Sequence, residues 1–334
     1  MNKPKTLFLA LLTSLISLII PLANAASLPA VIKGNDGAEM VLIPAGNFVM
    51  GSNKVDKSKR AEEFGSIKPW YMDEHPQHIV SLPSFYMDKY EVTNQQFREF
   101  VKQTSYRPPS HWLENGYLVS MKREKLNAIP TKRLQYIVAE IFRIDIDTRK
   151  MNKQQLLSTI DEYFAMLDNV PVYNVNWAAA RDYCDWAGQT LPTEEQWEKA
   201  TRGPSGQEFP WGDTFQDGMS NTGEEEWVAG AAPVGSYATD HSPYGIYDVA
   251  GNVSEWVMDW YDAYPNSDYT SKLFGKRFKV IRGAGWGGNG HYALQMYQRG
   301  AYRLFVTPDA EKEDLGFRCV QTSPQGVRKN IAHN

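Results

Sequence analysis

Two short stretches hold most of the side chains that could do chemistry. The segment SPYGIYDVAGNVSEW, residues 242–256, places Asp248 and Glu255 in one glycine-punctuated run that also contains Gly251, Asn252 and Val253. Calcium accepts roughly six to eight oxygens from carboxylates and backbone carbonyls, so two acids with carbonyls between them can wrap one ion. The same residues fit an ordinary turn with solvated acids, because the spacing is not that of an EF-hand loop. A second acidic run, NTGEEEW at 221–227, is ambiguous in the same way.

The other stretch, RGAGWGGNGHYALQMYQRGAYR at 282–303, carries arginines, glycines and a histidine but neither a thiol nor a carboxylate. Trp286 could stack on a planar ligand, Arg299 or Arg303 could hold a carboxylate through paired hydrogen bonds, and His291 could exchange protons near neutral pH. The plainer account is a core-filling tryptophan, arginines paired with acids such as Asp309 or Glu313, and a surface histidine. His75 and His78 in DEHPQHIV could form a metal pair or belong to the scaffold.

Thiol chemistry is bounded by number, since Cys184 and Cys319 are the only 2 cysteines. An even pair in an oxidising compartment reads as a disulfide. A catalytic or metal-binding thiol is the competing account, but neither cysteine has CxxC spacing or a neighbouring histidine. The chain starts with two lysines, runs through an apolar stretch from Leu7 to Leu22, and reaches Ala23-Asn24-Ala25. That is the pattern of a secretory signal cleaved near Ala25, and the apolar run is too short for a membrane-spanning helix. The expected location is therefore periplasmic or secreted, with no membrane-spanning segment.

These residues need a frame. In MVLIPAGNFVMGS, residues 40–52, alternating apolar positions suggest a strand leading into a turn. Thr93 is a natural N-cap before a helix that puts Phe97, Phe100 and Val101 on one face. Residues 175–200 read as two helices, one through Trp177, Tyr183 and Trp186 that closes at Gly188, and one capped by Thr193. Cys184 then sits on a helix with a buried face, which favours a structural bridge. Residues 118–167 differ from their surroundings: they lack glycine and show helical apolar spacing at Leu156, Leu157, Ile160 and Phe164, as expected of an inserted helical segment. The tail from 323 to 334 is expected to be poorly ordered.

A net charge of -4 gives no sign of a nucleic-acid partner. Aromatic residues at 13%, with 10 tryptophans, supply large core side chains, while a mean hydropathy of -0.48 implies much polar loop.

Several stretches, in order, resemble the sulfatase-modifying factor family, whose founding member is the formylglycine-generating enzyme. They include MVLIPAGNFVMGS, DEHPQHIVSLPSFYMDKYEVTNQQFREFV, PVYNVNWAAARDYCDWAGQTLPTEEQWEKATRG, FPWGD, NTGEEE, APVGSY, YGIYDVAGNVSEWVMDWY, VIRGAGW and TPDAEKEDLGFRCV. The resemblance implies an irregular α+β fold related to C-type lectins, low in regular secondary structure, over residues 40–322. A linker would occupy 26–39, and the helical segment would be an insertion.

It also implies bound structural calcium. One site would use Asp248, the carbonyls of Gly251 and Val253, and Glu255. The other would use Asn221, the Thr222 carbonyl, Glu226 and the Val228 carbonyl. The family's long-range disulfide coincides with Cys184 and Cys319.

The active site departs from the family. The two copper-binding cysteines of the formylglycine-generating enzyme fall near Gly288 and Gln295. Its active-site serine falls on Gly285, and the first tryptophan of its NVWEW motif falls on Ser254. No thiol-bound copper is therefore expected, and formylglycine generation is not expected either. The iron-binding histidine triad of the ergothioneine sulfoxide synthases has no counterpart. The pyoverdine-maturation branch, exported and resembling the formylglycine-generating enzyme, is the nearer analogue. By that resemblance Trp286, Asn289, His291, Arg299 and Arg303 would surround the substrate cleft. The expected function is maturation, by oxidation, of an exported peptide or peptide-derived metabolite. The alternative is a noncatalytic module that binds a ligand or protein partner.

Overall fold

The computed structural model describes residues 28–63, 65–224, 227, 230–287 and 294–322. An antiparallel ribbon opens the fold. Strands β1 (Val31–Lys33) and β2 (Glu39–Ile43) form a hairpin, followed by β3 (Gly46–Met50), β4 (His78–Leu82) and β5 (Phe85–Asp88). The run expected as one strand from residue 40 is two, in different sheets. Ile43 pairs with Phe85 and Gly46 with Leu82, and between these pairs Pro44 lies opposite Ser84 and Pro83 opposite Ala45. Neither proline has an N–H to donate, so the ladder stops and resumes beyond them. The segment expected as a linker at 26–39 contains β1, which pairs through Ile32 and Met40, and the first residue of β2.

Four-stranded order β1-β2-β5-β10 is completed by β10 (Val320–Thr322). A second four-stranded sheet, β8-β7-β6-β9, comprises β6 (Ser254–Trp260), β7 (Lys279–Arg282), β8 (Leu304–Val306) and β9 (Leu315–Gly316). The fold is thus mixed helix and sheet, as expected.

Four helices position the rest. α1 (Asn94–Thr104) begins with a full capping box from Thr93 and Gln96, and α4 (Glu194–Arg202) begins the same way from Thr193 and Gln196. α3 (Trp177–Trp186) ends as expected before Gly188, whose positive φ of 73° suits glycine. The glycine-free block forms short helical turns from Tyr117 onward and then α2 (Lys153–Asp168). It does not stand apart. Leu126, Leu134, Leu156, Ile160 and Phe164 join Phe97, Tyr183 and Trp256 in one core. Arg98 of α1 also binds Asp168 at 2.6 Å. A smaller core gathers Ile43, Phe85, Trp197, Val257 and Phe305.

Cys184 on α3 is bonded to Cys319 just before β10, with Cα atoms 5.7 Å apart. In the chain-entropy account, closing a loop of 135 residues contributes roughly 4–5 kcal/mol.

Candidate functional site

The 248–255 segment starts where Asp248 takes a left-handed turn at φ 56° and ends on β6. Gly251 is needed here: a Cβ on it would lie 2.6 Å from the Asn221 carbonyl oxygen. Asn252 N–H donates to that same carbonyl at 2.8 Å, and the two asparagine side chains meet at 3.2 Å. The structure therefore brings Asn221 and the Gly251–Asn252 turn together. Asn221 and Thr222 are buried, whereas Glu226 and Val228 lie outside the described residues.

Glu255, 1% exposed, takes both its oxygens to Arg318 at 2.7 Å and accepts the Trp197 indole N–H at 3.0 Å. Asp248 accepts the Gly235 amide at 2.6 Å. Burial pushes the Asp248 carboxyl up to about 6, against the Gly235 hydrogen bond and the Arg318 charge. Beside it stands a residue that the sequence did not single out, Glu91, also 1% exposed. No donor reaches either Glu91 oxygen, and its neighbour is the Asp248 carboxyl. Two ionised carboxylates cannot hydrogen-bond each other. Burial, and then the charge of Asp248, raise the Glu91 carboxyl well above its usual range. Buried Asp88 and Asp240 lie within electrostatic reach of Arg318 and are raised likewise, chiefly by burial.

Among the described residues, Arg318 pairs with Glu255 and its charge also reaches Asp88, Glu91, Asp240 and Asp248. The unpartnered Glu91 oxygens beside Asp248 are what a hard cation would satisfy. Among the described residues no three His, Cys, Asp or Glu side chains converge closely enough to hold a metal ion alone. Backbone carbonyls, as at Gly251 and Val253, would have to complete its oxygen shell.

The glycine-rich stretch is built differently. Arg282, on β7, reaches Glu194 at 2.8 Å and Glu198 at 2.7 Å on α4. A Cβ at Gly285 would lie 2.6 Å from the Asp314 Cβ, so Asp314 occupies the room beside that position. Ser254 turns inward and donates to the Gly283 carbonyl at 3.1 Å. Trp286 is half-buried, with its ring over Gly230 and its indole N–H on the Glu313 carbonyl at 3.0 Å. Gly288, Asn289 and His291 lie outside the described residues, while Gln295 is exposed. Gln295 borders a pocket of about 280 Å³ with Tyr71, Met296 and Arg299.

Arg299 and Arg303 have partners other than the Asp309 and Glu313 considered from sequence. Arg299 binds Glu74 at 2.7 and 2.8 Å, pairs with Glu208 and stacks over Tyr71. Arg303 binds Glu194 at 2.7 and 2.9 Å and the Asp73 carbonyl at 2.7 Å. Both are buried, so neither guanidinium faces open solvent. His75 and His78 each turn a ring nitrogen to a backbone carbonyl, of Lys54 and Pro76. Buried His111, stacked 3.9 Å from Tyr173, has no partner at either ring nitrogen, and burial lowers its pKa to about 3.

A family model described as a sulfatase-modifying factor enzyme 1-like domain matches residues 26–323. The inactive C-alpha-formylglycine-generating enzyme 2 of Bos taurus is 31% identical over 293 residues, covering 84% of this chain and 87% of its own. The formylglycine-generating enzyme of Mus musculus is 30% identical over 315 residues, covering 89% and 78%. Among solved structures, PvdO from Pseudomonas aeruginosa superposes with a TM-score of 0.58 at 23% identity, covering 89% of this chain and 100% of its own.

Proposed function

The chain belongs to the sulfatase-modifying factor family, and from that premise we propose an exported maturation factor that tailors a peptide or peptide-derived metabolite without generating formylglycine. The observation that carries the second half is the Cys184–Cys319 bridge. It consumes both thiols of the chain, and the positions aligned with the copper-binding cysteines are Gly288 and Gln295. Soft thiolate ligation of copper(I) therefore has no residues to use. The relative named as inactive shows that the family includes members without this activity.

The maturation half is supported by the secretory pattern at the N-terminus and by the fold shared with PvdO. Its oxidation would remove two electrons and two protons from the substrate, with dioxygen as the external acceptor. His291, Trp286 and Asn289 would face the substrate. Arg299 and Arg303 would shape the cleft by holding Glu74 and Glu194 rather than by touching the ligand. Calcium would be held by the Asp248 and Glu91 carboxylates with the carbonyls of Gly251 and Val253, while Glu255 remains on Arg318. A second ion would sit at Asn221, Thr222, Glu226 and Val228. The ion supplies fixed positive charge to the acidic cluster and takes no part in bond-making.

A noncatalytic binding module is the second reading, favoured by Asp314 occupying the room at Gly285 and by the internal pairing of both arginines. Deleting the gene in its source organism and comparing exported metabolites by mass spectrometry separates the two. Accumulation of a precursor heavier by the two hydrogens supports maturation, and an unchanged profile overturns it. The purified protein, incubated with copper(I) and a cysteine-containing sulfatase peptide, is expected to leave the peptide unaltered.

A further inference from the structure

A deep cleft lies away from the glycine-rich stretch, where the β1–β2 turn meets the loop from β5 into α1. It measures about 760 Å³, a size that suits a small molecule. Asp36, Glu39, Asp88, Glu91 and Glu99 line it against a single lysine, Lys33.

The rim acids are partly engaged. Asp36 accepts Tyr183 OH at 2.7 Å, Glu39 lies 3.9 Å from Lys89, and Glu99 binds Lys102 at 2.9 Å. Inside, the situation changes. Asp88 is 2% exposed and uses one oxygen on the Cys319 amide at 2.9 Å, while its Oδ1 has no partner. An unsatisfied buried carboxylate oxygen is costly unless something supplies a donor. Tyr90, beside these acids, adds an aromatic face, and it already attracts the Lys89 ammonium at 5.3 Å.

We propose that this cleft binds an organic cation, an alkylammonium or guanidinium group, whose charged end enters between the rim acids and donates to Asp88 Oδ1. A compact ammonium or planar guanidinium offers several N–H donors, which matches a carboxylate-lined cleft with one lysine. The proposal stands apart from the maturation reading. It also differs from calcium at Glu91, because an ion there satisfies Glu91 and Asp248 and leaves Asp88 Oδ1 open.

Calorimetric titration of the mature, calcium-loaded protein with agmatine tests it, with an acetylated lysine- and arginine-containing peptide as a second arm. Saturable binding of agmatine is expected, weakened at least about tenfold by Asp88→Asn, the equivalent of one charge-assisted hydrogen bond. Gln95→Trp, at an exposed position lining the cleft, should block entry without disturbing the core and decides the matter if Asp88→Asn fails to fold. Binding of the peptide alone assigns the cation to a basic side chain of a protein and also supports the site. Three results overturn the proposal: no binding in either arm, binding indifferent to both variants, or complete displacement by excess calcium. The last leaves the calcium reading standing.

Discussion

Two buried groups of charges sit in this fold and are composed in opposite ways. Around α4, Lys68, Arg202, Arg282, Arg299 and Arg303 face Asp73, Glu74, Glu194, Glu198 and Glu208, and every one of these charges has an opposite partner. Among the described residues, the Arg318 guanidinium pairs with the Glu255 carboxylate, and the Asp88, Glu91, Asp240 and Asp248 carboxyls lie within reach of its charge without a salt bridge to it. In the balanced group, burial drives the Glu198 carboxyl up, but Arg282 and Arg202 overcome it and hold it below its usual range, although at Glu74 burial still outweighs Arg299 and raises the carboxyl. In the acidic group burial wins at Asp88, Glu91, Asp240 and Asp248. The balanced network pairs each of its charges with an opposite one as it folds, while Asp73 Oδ1 and Arg282 Nε have no hydrogen-bond partner among the described residues. An unbalanced one calls for a cation or a proton, and that marks it as a place where something binds.

The largest test of this contrast is Arg282→Ala. Removing a guanidinium that is 0% exposed leaves Glu194 and Glu198 short of charge, and stability should fall by about 3–5 kcal/mol in denaturant unfolding. A loss under about 1 kcal/mol would show that the balanced group is not a keystone. Next comes calcium removal. At roughly a hundredfold excess over its Kd, an ion that binds only the folded state contributes about 2.7 kcal/mol, which a chelator should remove. Glu91→Gln should make the protein indifferent to the chelator, and unchanged sensitivity would exclude Glu91 from the ion.

A smaller effect concerns pH. The Asp248 carboxyl is raised in the fold, so the folded chain holds more protons than the unfolded one between about 4 and about 6. Without calcium, stability should therefore decline as pH rises through that window, by about 1–2 kcal/mol. Calcium keeps the carboxylate ionised and should flatten the profile, so parallel slopes in loaded and chelated protein would contradict the assignment. The smallest effect belongs to the exposed Arg123–Asp161 pair, with side chains 28% and 52% exposed. Arg123→Ala should alter stability by less than about 1 kcal/mol, since solvent screens such pairs.

Much of the frame was legible in the sequence because its signals are local. Thr93 with Gln96, and Thr193 with Gln196, announce helix starts within one turn of chain. Asp248 and Glu255 were visible as a pair for the same reason. Glu91 was not, because the fold alone brings it beside Asp248. Arg299 and Glu74 are 225 positions apart, and Arg303 and Glu194 are 109 apart, so nearby Asp309 and Glu313 were the natural but incorrect partners to consider. The split of the 40–52 strand was written in Pro44, but the fold alone brings Pro83 onto the neighbouring strand at the same break.

The two prolines at this break have a mechanical consequence. Beyond it on one side, β5 leads to Asp88 and Glu91; on the other, β3 leads to Gly51, whose amide binds Glu198 at 2.7 Å. One ribbon thus serves both charge groups while its hydrogen-bond ladder is interrupted between them. A slip of one residue would turn every side chain of a paired strand over, and the interruption acts as a firebreak that confines such an error to half the ribbon. The ligand-hungry end can therefore tolerate loop changes that the keystone end never feels.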